Sequence, residues 1–214
     1  MNYVAAVLLC LGMTVLSACE MDRHERHQAR HDISFTVKMH HLHMLINHAL
    51  QMAAQGADMK LQGVEHASAM MDKASNLLTR AMSGPEMARL HKSGYANKPL
   101  MKMTHGLADK SVELIEQMKA LSTDNPHKEA MQMLNHALEV AATGSSLIML
   151  GQQGMAGDID AVMVNHGQAM LGEASGLLHE VGVSDEYSAL LNEVVQLLIG
   201  IPDVQHTGQS KSSG

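Results

Sequence analysis

The chain has 214 residues, 46% hydrophobic but only 2% aromatic, with no Trp, one Phe and three Tyr. That supplies a core for one helical domain but argues against nucleic-acid stacking platforms, carbohydrate clefts and the usual β-sandwich cores. The net charge of −7, from 22 acidic and 15 basic residues, argues against a phosphate-backbone binder, whereas 20 Met and 15 His are an excess of soft and borderline metal ligands.

Residues 1–18, MNYVAAVLLCLGMTVLSA, form an apolar run too short for a comfortable membrane span. The run ends in Leu16-Ser17-Ala18-Cys19, which resembles the lipobox of bacterial lipoproteins, in which the cysteine is acylated and the leader is cut away. One departure is an n-region without Lys or Arg; the alternative is an uncleaved anchor. Cys10 would leave with the leader and Cys19 would carry the lipid, so the mature chain would have no thiol, as suits an oxidising periplasm. Glu20 rather than Asp after the cysteine predicts, by the usual sorting rule, an outer-membrane lipoprotein facing the periplasm. Residues 19–33, with His24, His27 and His31, read as a His-rich tether.

From 34 to 199 the apolar spacing is helical and no stretch alternates with period two. A first helix is predicted from Ser34 to Gln55, stopped by Gly56, and a second from Asp58 to Met82, broken by Ser83-Gly84-Pro85. A short helix follows over Pro85–His91, then a loop, then a long helix from Pro99 to Leu121. Asp124-Asn125-Pro126 opens the next, which runs to Gly151; Asp158 is placed to cap another reaching Glu180, and Ser184 a last one to Ile199. Residues 200–214 read as a flexible tail. The expected fold is all-α, an up-and-down bundle of about five to six helices.

The chain repeats itself. NHALQMAAQG (47–56) matches NHALEVAATG (135–144) at seven of ten positions, and the segment 64–78 matches 164–178 at eight of 15. Seven residues separate Gly56 from Val64, but nineteen separate Gly144 from Val164. The copies, about 47–80 and 135–180, are therefore a duplicated helical hairpin with an insertion.

On a helix, residues three or four apart share a face, so His and Met at that spacing can hold one metal ion between them. His41, Met44, His48 and Met52 fall on one such face, and His40 pairs with Met44. Further pairs are His66 with Met70, Met87 with His91, Met101 with His105, and Met133 with His136; Met163, His166 and Met170 follow the same spacing. Thioether with imidazole and no thiolate suits Cu(I) or Ag(I) in an oxidising compartment. Pure imidazole groups, such as His24, His27 and His31 or His40, His41 and His43, would suit Cu(II), Ni(II) or Zn(II) better. The bland alternative is core filling for Met59, Met71, Met118 and Met149. For His48, His66, His136 and His166 it is a buried or boundary imidazole bonded to a neighbour. One helical pair supplies only two ligands, so a full site needs a second helix or a second molecule.

Other chemistry finds no support. There is no HExxH, no C-x-x-C-H, no G-x-S-x-G elbow and no Gly-rich phosphate loop, so no catalytic residue is assigned.

The phrases N-H-A-L-x-x-A-A-x-G, V-x-H-x-x-A-M and A-S-x-L-L resemble the helical repeats of the periplasmic small metal-binding protein family. Its members are short, His-rich, four-helix proteins that bind divalent metals, copper prominently, and are thought to buffer them. The resemblance covers about 47–80 and 135–180 and implies His48, His66, His136 and His166 as ligands. This chain is longer, richer in Met and less dense in His, which tilts the expectation toward reduced copper. The expected function is therefore a membrane-anchored protein that binds copper, with other divalent transition metals as lesser ligands, for sequestration, delivery or resistance. Its expected partners are the metal ion, the membrane through the lipid, and a second copy of itself, with no nucleic acid. Binding through imidazole should weaken below about pH 6. The rivals are a b-type haem electron carrier, with haem held non-covalently between Met and His, and a structural or adaptor lipoprotein whose His and Met merely pack.

Overall fold

The computed structural model describes residues 37–92, 98–154, 157–182 and 185–210; the leader, Cys19, Ser184 and the His-rich segment with His24, His27 and His31 lie outside them. The chain divides into a unit of residues 1–39 and a second, His40–Gly214, which holds the features that follow. Residues 37–61 form helix α1. After it come α2 (Ala67–Ser83), α3 (Pro85–Lys92), α4 (Lys98–Lys119), α5 (Lys128–Gly151), α6 (Asp158–Val181) and α7 (Glu186–Ser210). No strand occurs among the described residues, and the fold is an all-α helical bundle.

The hub of the second unit is the seam between α1 and α5. Asn47 Nδ2 donates to Ser146 Oγ at 3.0 Å, Gln51 Nε2 to Thr143 Oγ1 at 2.9 Å, Gln55 Nε2 to Glu139 Oε1 at 2.7 Å, and Asn135 Nδ2 to Asp58 Oδ1 at 2.7 Å. One set of partners rises as the other falls, so the helices are antiparallel. Buried Ala53, Ala54, Ala57, Ala137, Ala141 and Ala142 keep side-chain volume low on both helices. The seam is also symmetric. The shift of 88 residues that carries Asn47 onto Asn135 carries Asp58 onto Ser146, Gln51 onto Glu139 and Gln55 onto Thr143. Each hydrogen bond thus maps onto another, as a two-fold axis relating the repeat copies requires.

The hairpins obey the same correspondence. A Cβ on Gly56 would lie 2.8 Å from Met71 Cγ and 3.3 Å from the Ala67 carbonyl oxygen. In the other copy, a Cβ on Gly144 would lie 2.8 Å from the Gly167 carbonyl oxygen and 3.3 Å from Leu171 Cγ. Gly56 therefore does not end α1, as the sequence predicts; it sits inside the helix, where its missing side chain lets α2 approach. Residues 58–61 belong to α1, and α2 starts at Ala67 rather than Asp58. The insertion in the second copy is mostly helix: α6 begins at Asp158, more than two turns before the residue equivalent to the start of α2. Gly157, not Asp158, is the cap residue of α6.

On the other side, α4 packs against α2 and α7, and α7 also packs on α5. Leu107, Leu114, Ile115 and Met118 of α4 and Leu191, Val194, Val195 and Leu198 of α7 are fully buried. Each such side chain contributes roughly 1.5–3 kcal/mol by leaving water. Met71, Met118 and Met149 are core, as expected of filler methionines, whereas Met59 is half-buried. Residues 200–210, predicted as tail, continue α7 through Pro202. Ile201 and Pro202 are buried, so packing offsets the hydrogen bond the proline cannot make. Surface ion pairs, Lys110 with Glu193 at 3.0 Å and Lys119 with Asp72 at 2.9 Å, link α4 to α7 and α2; exposed pairs of this kind are screened by solvent and add little to stability.

Candidate metal centre

The predicted ligands fall into three environments. On α1, His41 and His48 are exposed while Met44 and Met52 are half-buried, so the predicted stripe forms and faces outward. The trio His40, His41 and His43 does not form a cluster. His40 and His43 turn into the interior, 2% and 1% exposed, because adjacent helical residues diverge by about 100°.

The four repeated histidines, His48, His66, His136 and His166, are all exposed, and none makes a side-chain hydrogen bond among the described residues. They are not the buried, bonded imidazoles of the bland alternative. Met70, Met133, Met163 and Met170 beside them are half-buried. His66 lies at the N-cap of α2 without capping it through its side chain. His136 lies near enough to Asp58 to favour its charged form, although burial, the largest effect, raises the Asp58 carboxyl above the ordinary range. Among the described residues no three of His, Cys, Asp and Glu gather closely enough to hold an ion.

One contact joins two of the predicted pairs across helices. His91 of α3 and His105 of α4 bring their Nε2 atoms to 3.2 Å, with ring centroids 5.1 Å apart and planes tilted by 36°. Each follows a methionine by four residues, Met87 on α3 and Met101 on α4, and both methionines are buried, at 3% and 6% exposure. His91 is exposed and His105 half-buried, so two imidazoles stand at the surface over two helices whose preceding turns bury thioethers. With metal–imidazole bonds of about 2.0–2.1 Å, two nitrogens in a tetrahedral shell lie about 3.3 Å apart. The 3.2 Å separation also fits a neutral hydrogen bond in which one ring donates and the other accepts. Exchange of that proton for an ion requires only that the donor ring move its hydrogen to Nδ1.

Beneath α4 lies a buried polar layer that periodicity did not reveal. His43 Nε2 meets Thr104 Oγ1 at 2.7 Å, and the Thr104 hydroxyl donates to the Leu100 carbonyl at 2.8 Å. His43 therefore carries its proton on Nε2 and donates to Thr104. The Gln153 amide donates to His40 Nδ1 at 3.0 Å, which places the His40 proton on Nε2. Burial, with His40 nearby as a lesser cause, depresses the His43 pKa to about 3, so this imidazole is neutral.

The internal repeat extends further than the strongest matches. At an offset of 100, Pro85-Glu86-Met87-Ala88-Arg89-Leu90 corresponds to Asp185-Glu186-Tyr187-Ser188-Ala189-Leu190, sharing Glu and Leu, and His91 corresponds to Leu191. Leu90 and Leu190 are both buried, as are Met87 and Tyr187. The second copy thus fills with Tyr and Leu the positions where the first carries a thioether and an imidazole.

Among the described residues no helix is long and apolar enough to cross a membrane. Compared with known protein families, with curated proteins and with solved structures, the chain matches none.

Proposed function

We propose that the protein binds a soft transition-metal ion, Cu(I) before others, through His91 and His105 with Met87 and Met101, for sequestration, delivery or resistance rather than catalysis. The observation that carries this reading is the 3.2 Å approach of two imidazole nitrogens on neighbouring helices, each one turn beyond a buried methionine. Two thioethers and two neutral imidazoles carry no charge, and thioethers are soft donors that select Cu(I), so a monovalent soft ion is the natural occupant. The internal repeat supports a functional origin for these residues, because the equivalent positions of the second copy hold Tyr187 and Leu191. In the same reading Cys19 carries a lipid, residues 20–33 form the tether, and the domain faces the periplasm from the outer membrane.

The test is competition for Cu(I) between the purified chain and a colorimetric chelator under reducing conditions, with an absorption spectrum taken beforehand. The expected result is one tightly held equivalent, lost in H91Q/H105Q and kept in H66Q/H166Q, with unchanged melting in each. No uptake, or uptake unaffected by H91Q/H105Q, would refute the assignment. A Soret band in the purified protein would transfer it to haem.

A further inference from the structure

The stripe His41, Met44, His48 and Met52 on α1 has a counterpart within the same chain. The offset of 88 that maps the α1–α5 seam onto itself places Glu129, Gln132, His136 and Val140 of α5 at the corresponding positions. Exposure is the same at the first three: His41 and Glu129 exposed, Met44 and Gln132 half-buried, His48 and His136 exposed. The fold therefore accepts Glu and Gln where α1 has His and Met, so packing does not demand the ligand residues there. The other faces of α1 are fully used: Leu42, His43, Ile46, Asn47, Ala49 and Leu50 are buried. Neither the His41 nor the His48 side chain hydrogen-bonds within the described residues, and each lies three or four residues from a methionine.

We infer that this stripe is a second metal site of a different kind, a solvent-open, two-coordinate exchange site for Cu(I) or Ag(I). The ion is held between Met44 and His48, with His41 and Met52 as alternative ligands one step away along the helix. Two ligands at i and i+4 suit a linear soft ion and leave it open to an incoming chelator or thiol, whereas borderline divalent ions need more donors. The inference rests on the reading that this protein handles soft metal ions, but not on the His91–His105 centre being occupied.

The experiment is titration of the full chain, 13C-labelled at the methionine methyls and assigned by single Met-to-Leu variants, with Ag(I) as the diamagnetic probe. The expected result is that the Met87 and Met101 methyls shift with the first equivalent and the Met44 and Met52 methyls with the second. The second set should be in fast exchange and removable by one equivalent of thiol. H41Q/H48Q should abolish the second set and leave the first intact. The inference is overturned if Met44 and Met52 do not shift through two equivalents, or shift unchanged in H41Q/H48Q. It is also overturned if that variant removes the first equivalent, since the two sites would then be one. If Met44 and Met52 shift while Met87 and Met101 stay still, the exchange site stands and the His91–His105 reading falls.

Discussion

Asn47 and Asn135 occupy equivalent positions in the two repeat copies, and each donates its amide across the α1–α5 seam, but their carbonyl oxygens fare differently. Asn135 Oδ1 accepts from the Tyr187 hydroxyl, whereas Asn47 Oδ1 is buried without a hydrogen-bond partner. The residue at the Tyr187 position in the first copy is Met87, whose thioether has no proton to donate. The asymmetry makes a stability prediction. Asn135→Leu strands the Tyr187 hydroxyl and one oxygen of Asp58, and should cost about 2–4 kcal/mol. Asn47→Leu removes an oxygen that is already unsatisfied and should cost no more than about 1 kcal/mol. Denaturant unfolding of the two variants checks the ordering; equal costs would mean that Asn47 Oδ1 has a partner in solution.

Acid should weaken the fold through His43. Its pKa is depressed to about 3, while an unfolded imidazole takes its proton near the ordinary 6.5. Between those values the unfolded chain binds the extra proton. The stability is therefore complete above pH 6.5 and is lost as pH falls toward 3, by roughly 1.4 kcal/mol per pH unit at most. Asp58 acts in the opposite sense, because its raised pKa is a cost at neutral pH that protonation relieves. Melting followed from pH 7.5 to 4.5 should show the loss, and His43→Leu should flatten it, since Thr104 keeps its bond to the Leu100 carbonyl. A slope unchanged in that variant would place the acid sensitivity elsewhere.

The glycines of α6 divide into two groups that single alanine substitutions should separate. A Cβ on Gly167 would sit 2.5 Å from the Gly144 carbonyl oxygen and 2.7 Å from Ile148 Cγ1, whereas one on Gly172 or Gly176 would meet nothing within 4 Å. Gly172→Ala and Gly176→Ala should each stabilise by about 0.5–1 kcal/mol through helix propensity alone. Gly167→Ala must separate two helix backbones and should destabilise by about 1–3 kcal/mol. Thermal unfolding decides, and a stabilising Gly167→Ala would show that the α5–α6 contact is looser than the backbone approach requires.

These glycines also show what the sequence could disclose. Helical periodicity and the repeat phrases were enough for an all-α fold and a duplicated hairpin, because both are local patterns. Gly56 was misleading because a helix-stopping glycine and a close-approach glycine look alike until the partner helix is placed. The stripe His41, Met44, His48 and Met52 was legible, since one helix defines it. The His91–His105 contact was not: each pair is visible alone, but nothing in the spacing says that the two rings meet across α3 and α4. The interior positions of His40 and His43 were equally hidden, because a buried imidazole depends on partners, here Gln153 and Thr104, that lie 113 and 61 residues away.

The methionines of the candidate centre should decide which metal it prefers more than how stable the fold is. Met87 and Met101 are buried, and leucine has nearly the same volume, so Met87→Leu/Met101→Leu should cost at most about 1.5 kcal/mol per site. The same change removes both soft donors and leaves His91 and His105, whose imidazoles are ligands that suit Zn(II) as well as copper. Affinity for Cu(I) or Ag(I) should therefore fall relative to that for Zn(II) by at least about tenfold, or ~1.4 kcal/mol of selectivity. Isothermal titration of wild type and variant with Ag(I) and with Zn(II), beside a melting curve for each, separates the outcomes. A loss of stability with unchanged selectivity would return both thioethers to the core as filler and leave the imidazoles as the whole of the site.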